Sequence, residues 1–520
     1  MNKLVKKLVA FASLLTLTTS AVGCGGFGGT SDSGAALETG FWAELAKNSV
    51  GGGSDSNKVD YTGDVQINGD PTAAVAYDGS EVTVKFYHTM GKNLQAVLTR
   101  YIDVFQGIYP NITIEHKQQG GYPDLRDQIT TELSGGNAPH LAYCYPDHVA
   151  LYNKAKAVAT LDDFIASTKT VTRADGTTEV MGLTQAGANE FVRGYSEEGR
   201  AYGDGKMYTL PYSKSTEVLY YNKTFFNQHG LKVPTTWDEM ETVMQKIVEI
   251  DPTCTPLGYD SEANWFITMC EQLNTPYTAA VDGSKFRFDV STNHEFVGRL
   301  REWYQNGYVI TEEIYGAYTS DLFTQTDPAK ARSYMCIGSS AGASYQCPDR
   351  YTDENGVEAY PFEVGVALPP QINPGYPKVI SQGPSLCMFK KSNPQEMAAT
   401  WLFMKFLTTN LDLQAEFSIT SGYAPVIKNL DTKHAVYAEE LALADGNEHL
   451  QSSCVKQCLA QEGAMFVSPA FVGSSGARDE VGVLIQNCFV NAPANGQSVA
   501  DFIKAQFKAS SDKLKYEFDS

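Results

Sequence analysis

LPYSKSTEVLYYNKTFF, residues 210–226, is the stretch around which the rest of the chain is organised. A polar turn at 213–216 leads into a short apolar strand at 218–221. Asn222 follows, and a short Asn side chain can accept hydrogen bonds from the first free amides of a helix. Composition alone favours a surface turn before a core strand. The alternative is a chain that leaves one lobe and begins the sheet of a second, with its hydroxyls close to a ligand between the lobes.

The segment before this stretch alternates between strand and helix patterns. Strands are predicted at 82–87, 112–115 and 141–145, and helices at 94–108 and 125–133. Such alternation is typical of a parallel sheet with helices on its faces. Ligands of such folds bind beyond the carboxyl ends of the strands. The loops expected at that edge are 88–90, 119–122 and 145–147.

The segment after residue 226 supplies a second set of elements. Helices are predicted from about residue 236, around Trp265 and at 397–407, and strands at 332–337, 362–368 and 379–389. We therefore predict an α/β fold with two lobes, each a mostly parallel sheet flanked by helices, and a ligand cleft between them. The expected boundaries are 81–205 plus 331–380 for the first lobe, and 206–330 plus 381–520 for the second.

Length and charge restrict the functional class. A chain of 520 residues is too long for one simple core and favours two or three domains. Its formal charge of −20 argues against nucleic-acid binding, which requires clustered Lys and Arg. A small anionic ligand remains compatible with it. The eight histidines lack HExxH spacing, so no metal or other cofactor is expected.

The first 23 residues have the pattern of a signal peptide. Lys3, Lys6 and Lys7 precede an apolar run, 8–18, that is far shorter than the roughly 20 residues of a membrane span. Residues 21–24, AVGC, resemble a bacterial lipobox, which predicts a diacylated Cys24 and an anchor on the outer face of the membrane. An ordinary signal peptide with a chance cysteine is the alternative. Glycine-rich sequence over 24–80 predicts a flexible linker that contains a helical island, FWAELAK.

Nine cysteines follow Cys24, scattered and odd in number. Only Cys454 and Cys458 are close together, and a zinc site would need a second close pair of ligands. Buried thiols, or one or two disulfides, are therefore expected rather than a metal site.

From about residue 81 onwards the chain resembles the extracellular solute-binding lipoproteins (family 1) of bacterial ABC importers. The resemblance rests on several motifs in a fixed order: FYHTMG, FQGIYPNITIEH, GGYPDLRDQITTELSGGNAP, LPYSKSTEVLYYNKTFF, PTTWDEM and SGYAPV. It implies the class II form of the two-lobed periplasmic-binding-protein fold. It also implies a monomer that closes on a solute and delivers it to a membrane permease, with no catalysis.

Within that family the chain looks more similar to the sn-glycerol-3-phosphate-binding proteins than to the maltose-binding ones. The resemblance implies ligand contacts from the first lobe, the crossover turn, an aromatic wall and an anion clamp: Tyr122, Asp147, Ser215, Trp265, Ser339, Ser340, Gly383, Tyr423 and Arg478. For Trp265 an ordinary core position is an open alternative, for Tyr423 a turn-packing one, and for Arg478 a solvated charge.

Two departures from the subgroup leave the ligand open between a glycerophosphate and a sugar. Lys214 stands where the subgroup has an uncharged residue, and we expect its side chain to point to solvent. Pro146 stands where the subgroup has an acidic residue, which Asp147 would replace.

Two other functional classes compete with this one. A secreted glycoside hydrolase is the first, but no carboxylate pair in the chain stands out. An adhesin-type lipoprotein is the second, and it would need no converging polar loops.

Overall fold

The computed structural model describes residues 40–48, 63–280 and 285–518. Cys24, the signal peptide and most of the linker lie outside these ranges. The strands are β1 Val82–His88, β2 Ile112–Gln118, β3 Leu141–Cys144, β4 Thr170–Thr172, β5 Thr178–Val180, β6 Thr209–Pro211, β7 Glu217–Asn222, β8 Leu257–Tyr259, β9 Val309–Thr311, β10 Met335–Ser339, β11 Tyr351–Thr352, β12 Glu358–Ala359, β13 Val364–Ala367, β14 Val379–Ile380, β15 Ser385–Met388 and β16 Met465–Phe466.

The helices of the described residues connect and cover these strands. They are α1 Phe41–Asn48, α2 Lys92–Ile108, α3 Tyr122–Ser134, α4 Pro146–Tyr152, α5 Asp162–Ala166, α6 Gln185–Asn189, α7 Arg193–Glu197, α8 Lys223–His229, α9 Trp237–Ile250, α10 Glu262–Gln272, α11 Ser291–Gln305, α12 Glu312–Tyr315, α13 Ser320–Phe323, α14 Pro394–Thr409, α15 Leu411–Ser421, α16 Ala435–Ala442, α17 Leu450–Ala460, α18 Ser474–Val490 and α19 Val499–Phe518. Among them, none has the length and apolar character that crossing a bilayer requires.

Two five-stranded sheets form the cores of two lobes. The first has the order β2-β1-β3-β15-β6 and the second β13-β7-β10-β8-β9. In the first sheet, β1 pairs in parallel with β2 and β3, whereas β15 is antiparallel to β3 and β6. The second sheet also has two parallel and two antiparallel pairings. The two-lobed α/β prediction is confirmed, but the sheets are mixed rather than mostly parallel.

The crossover interpretation of residues 210–226 is confirmed. β6 ends in the first sheet and β7 begins in the second, so the polar turn between them joins the lobes. Asn222 caps α8, since its side chain accepts a hydrogen bond of 2.8 Å from the amide of Phe225. The local chemistry of this stretch therefore determines both the crossing and the start of the next helix.

Strand pairing corrects the expected lobe boundaries at three places. Residues 206–330 were assigned to the second lobe, yet β6 pairs within the first sheet. Residues 331–380 were assigned to the first lobe, yet β10 and β13 pair within the second sheet. Residues 381–520 were assigned to the second lobe, yet β15 pairs within the first sheet, and α14 packs in the first core through Trp401 and Phe403. The error arises because the chain returns to the first lobe after β14, and short strands carry no mark of the sheet that they join. The remaining boundaries stay a prediction.

The helical island of the linker packs on the second lobe. Trp42 of α1 is buried, with its ring 5.4 Å from that of Trp303 and 6.3 Å from that of Trp237. The amides of Trp42 and Ala43 donate to the carboxylate of Asp238 at the start of α9. This helix is therefore part of the folded unit. Residues 63–80 of the predicted linker are folded as well, since Val65 and Tyr77 are buried in the core of the first lobe.

The nine cysteines within the described ranges are free thiols, and all but Cys347 are buried. The sequence left buried thiols and disulfides as alternatives, and the described part of the structure contains buried thiols.

Candidate functional site

A cavity of about 210 Å³ lies between the two lobes, at the carboxyl ends of β2 and β3. Its lining includes the starts of α3 and α4 and residues of α10 and α18. Two crossover segments between the lobes also line it, one between β6 and β7 and the other between β14 and β15. The lining residues used below are Tyr122, Arg126, Tyr145, Asp147, His148, Glu198, Lys214, Asn264, Ser381, Gly383, Ser468, Arg478 and Asp479. Two of the three expected loops thus reach the site. The loop after β1 does not, and His88 at its start is buried against His116 instead.

Tyr122 and Tyr145 form an aromatic wall on the first-lobe side of this cavity. Their ring centroids are 4.3 Å apart with planes 31° from parallel, and the Tyr145 ring lies 5.5 Å from that of His148. Tyr122 begins α3, and Tyr145 immediately precedes α4. Two adjacent ring faces of this kind suit the CH groups of a sugar or glycerol moiety, and their hydroxyls give the wall a polar edge.

His148 Nδ1 on the lining is left without a partner inside the described part of the chain. Tyr122 Oη and Ser468 Oγ make no close hydrogen bond either, but each has hydroxyl neighbours, Thr89 and Tyr423 for Tyr122 and Tyr277 for Ser468. Burial lowers the pKa of His148, which keeps its imidazole neutral and able both to donate and to accept. Because buried polar groups are normally hydrogen-bonded, these atoms are able to pair with polar groups from outside the chain.

Arg478 of α18 is held by residues from both lobes. Its Nε lies 3.6 Å from Asp147 Oδ2 in the first lobe, and its Nη1 donates to Asn264 Oδ1 in the second at 2.5 Å. Behind Asn264, burial raises the pKa of Glu217 to about 8, and this carboxyl accepts a hydrogen bond from Tyr259. Arg478 is consequently positioned by its neighbours at the point where the lobes meet.

Lys214 and Glu198 form an ion pair on the lining next to the crossovers. Both side chains are almost fully buried, with 2% and 4% of their surfaces exposed. The second oxygen of Glu198 accepts a hydrogen bond of 2.8 Å from Ser381 Oγ. The expectation that Lys214 points to solvent is therefore wrong. A lysine in a polar turn looks solvated when its partner lies in a different segment of the sequence.

Arg126 of α3 contacts α18 across the cleft. Its Nη1 lies 2.8 Å from Asp479 Oδ2 and 2.9 Å from Ser475 Oγ. α3 packs in the first core and α18 in the second. This contact, like that of Arg478 with Asp147, therefore bridges the lobes.

Gly383 lies on the lining where only glycine fits. Its φ is +93°, a conformation that L side chains rarely adopt, and a Cβ there would lie 2.4 Å from the carbonyl oxygen of Ser213. The resemblance predicted this glycine as a ligand contact. The close approach of the two crossover segments gives it a structural reason as well.

The structure brings four of the predicted ligand contacts together at the cavity, and these are Tyr122, Asp147, Gly383 and Arg478. Four others do not line it. Ser215 is buried and bridged through its backbone to Gln382, and Ser339 caps the 3₁₀ turn that follows β10. Ser340 is buried, and Tyr423 packs against Phe417. A direct contact from these four to a ligand stays a prediction.

Trp265 does not form a wall of the cavity. Its side chain is fully buried in the second core, stacked on Tyr259 at 4.5 Å and 12°. Trp265 therefore occupies an ordinary core position, which was the alternative left open by the sequence.

Sequence reasoning did not select Tyr145, His148 and Glu198 as ligand contacts, although they line the cavity. Tyr145 lies in the loop 145–147 that was expected at the edge of the sheet, and His148 follows that loop directly, so the carboxyl end of β3 was a usable signal for both. Glu198 had no such signal, because it lies in an irregular segment whose position relative to Lys214 depends on the tertiary fold.

The model for the family described as bacterial extracellular solute-binding protein matches residues 100–444. The chain therefore belongs to this family, the substrate-binding components of ABC importers. Its resemblance to the family, drawn from the motifs, is thus confirmed.

The names of related proteins refer to different solutes. The chain is 25% identical over 194 residues to the "Multiple sugar-binding protein" of Streptococcus mutans, covering 37% of this chain and 40% of that protein. It is also 25% identical over 342 residues to the "sn-glycerol-3-phosphate-binding periplasmic protein" of Rhizobium meliloti, covering 60% and 74%.

A solved structure supports the fold. The glycerophosphocholine complex of UgpB from Mycobacterium tuberculosis superposes with a TM-score of 0.64 and 16% identity, covering 84% of this chain and 98% of that one. At this identity the likeness shows the two-lobed architecture alone.

Proposed function

We propose that this protein captures a small, uncharged, hydroxyl-rich solute such as a sugar in the cavity between its lobes, and delivers it to a membrane permease. The charge pattern of the lining carries this proposal. Lys214 is paired with Glu198, Arg126 with Asp479, and Arg478 lies near Asp147. Among the described residues of the lining, every Lys or Arg thus has a carboxylate within 4 Å, which offsets the positive charge that a phosphate would need.

The remaining features of the cavity fit such a solute. Neighbouring tyrosine faces suit the CH surface of a sugar, and polar atoms of the lining can pair its hydroxyls. The volume is below the roughly 300–1,000 Å³ of pockets that hold drug-sized ligands, which favours a compact solute. Binding would require only that the closed form holds the solute better than the open form does.

A glycerophosphate is the second candidate. Arg478 favours it, because its Nε is 3.6 Å from Asp147 Oδ2, too far for a hydrogen bond. A phosphate could take up the free donors of this guanidinium in a bidentate manner.

Calorimetric titration of the purified protein separates the two candidates. The panel would comprise glucose, maltose, maltotriose, sn-glycerol-3-phosphate and glycerophosphocholine. We expect a neutral sugar to bind at least about tenfold more tightly than either phosphate compound, a difference of about 1.4 kcal/mol. Tighter binding of a phosphate compound would overturn the neutral-solute proposal, and turnover of any ligand would overturn the binding-protein assignment.

We also propose that Cys24 carries a diacyl anchor that holds the protein on the outer face of the membrane as a monomer. The support is the lipobox pattern of residues 21–24 and the family's description as extracellular. Replacing Cys24 by Ala is expected to move the protein from the membrane fraction to the culture medium. A wild-type protein that is already released would contradict the anchor.

A further inference from the structure

The ion pair on the lining points to a residue that sets solute specificity. We propose that Glu198 makes the site selective against anions by neutralising Lys214, which would otherwise present a bare ammonium group to the solute. This inference rests on the proposed function and deepens it, because it names the residue that keeps the site neutral.

The Lys214 side chain is held in place from its backbone to its ammonium group. The amide of Lys214 donates to the carbonyl of Ala424 at 2.9 Å, and the amide of Ala424 donates back to the carbonyl of Lys214 at 2.6 Å. This bridge fixes the lysine backbone within the crossover. The side chain then runs past Tyr195, with Nζ 5.8 Å from the ring centroid, to reach Glu198.

Glu198 is held just as firmly on the opposite side. One of its oxygens accepts from Lys214 Nζ and the other from Ser381 Oγ. Glu198 lies in the 3₁₀ turn Glu198–Arg200 of the first lobe, whereas Lys214 and Ser381 lie in two different crossovers. Three separate segments thus position one carboxylate on the lining.

Two physical effects make this pair exclude anions. An incoming phosphate would meet the negative charge of Glu198 where solvent screening is weak, and juxtaposed like charges disfavour binding strongly. It would also find the Lys214 ammonium already occupied, so it would gain no new ion pair. A neutral polyol suffers neither effect and can still hydrogen-bond to the carboxylate oxygens.

The substitution Glu198→Gln tests this inference directly. Gln has the shape of Glu and can still accept from Ser381, but it leaves Lys214 unpaired. We expect the affinity for inorganic phosphate and for sn-glycerol-3-phosphate to rise by about tenfold or more, since close charge pairs couple at this scale. The double variant Glu198→Gln with Lys214→Met is the matched control, and it should return the anion affinity to the wild-type level. Unchanged anion affinity in folded Glu198→Gln would overturn the inference.

If Glu198→Gln folds poorly because Lys214 is left buried and unpaired, thermal unfolding provides a second test. Thermal unfolding of Glu198→Gln would be compared in potassium phosphate and potassium chloride at equal ionic strength. Selective stabilisation by phosphate, absent in the wild type and the double variant, supports the inference, and equal unfolding in both salts contradicts it. The proposed function has a separate test, because it is contradicted when the wild-type protein binds phosphate compounds more tightly than every sugar.

Discussion

Replacing Lys214 by Met is expected to destabilise the folded protein by about 3–5 kcal/mol, the usual cost of leaving one partner of a buried ion pair uncompensated. The side chains of Lys214 and Glu198 expose only 2% and 4% of their surfaces, so solvent screens the Glu198 charge weakly once the ammonium is lost. Among the described residues, Ser381 Oγ would remain as a hydrogen-bond donor to the Glu198 carboxylate, from the opposite side. Urea unfolding followed by circular dichroism measures the effect.

Two controls identify the cause of that loss. Lys214→Met combined with Glu198→Leu removes both charges and should recover most of the lost stability, because a buried pair can often be replaced by apolar groups of similar volume. Lys223→Met breaks the ion pair between Lys223 and Glu363, whose two side chains are 32% and 43% exposed. This change should reduce the free energy of unfolding by about 1 kcal/mol or less. A loss in Lys214→Met no larger than in Lys223→Met would show that the buried pair contributes little to folding.

The lysine also shows where sequence reasoning stops. Its position in the crossover was predictable, because the polar turn, the apolar strand and the Asn222 cap are local signals. Its partner was not, because Glu198 is brought beside it only when the first lobe folds against the crossovers. A charged residue in a polar turn has the same local pattern whether it is solvated or buried.

The lobes show the same contrast between local and long-range information. The strands and helices of residues 82–152 follow from hydrophobic periodicity, and the loops after β2 and β3 were correctly expected near the site. The sheets to which β10 and β15 belong were not predictable, because strand order depends on where the chain crosses between the lobes. Four or five buried residues in succession fit either sheet equally well.

Helix α10 is the second place where the local pattern misled. Periodicity identifies a functional face only when a helix has one polar side, and α10 is buried on nearly all sides. Trp265 was selected by resemblance, but its neighbour Asn264 is the residue that lines the cavity. One step along a helix rotates a side chain by about 100°, which is enough to exchange a core position for a ligand-facing one.

Trp265→Ala is therefore expected to reduce stability rather than solute affinity. The indole is fully buried, with its ring 4.5 Å from Tyr259, 6.1 Å from Trp237 and 6.5 Å from Trp303. Removing such a side chain costs about 3–5 kcal/mol, because the rigid rings around it cannot collapse into the space. The measurement pairs urea unfolding with calorimetric titration of the preferred sugar under folding conditions.

Tyr145→Ala is the matched control for Trp265→Ala, because Tyr145 is half-buried and lies on the cavity wall. It should weaken sugar binding while costing less stability than Trp265→Ala, since its ring borders the cavity instead of filling a core. The two variants thus separate the core aromatic from the binding aromatic by opposite responses. If Trp265→Ala kept wild-type stability but lost its sugar affinity, the indole would be a ligand contact. That result would contradict the cavity described above.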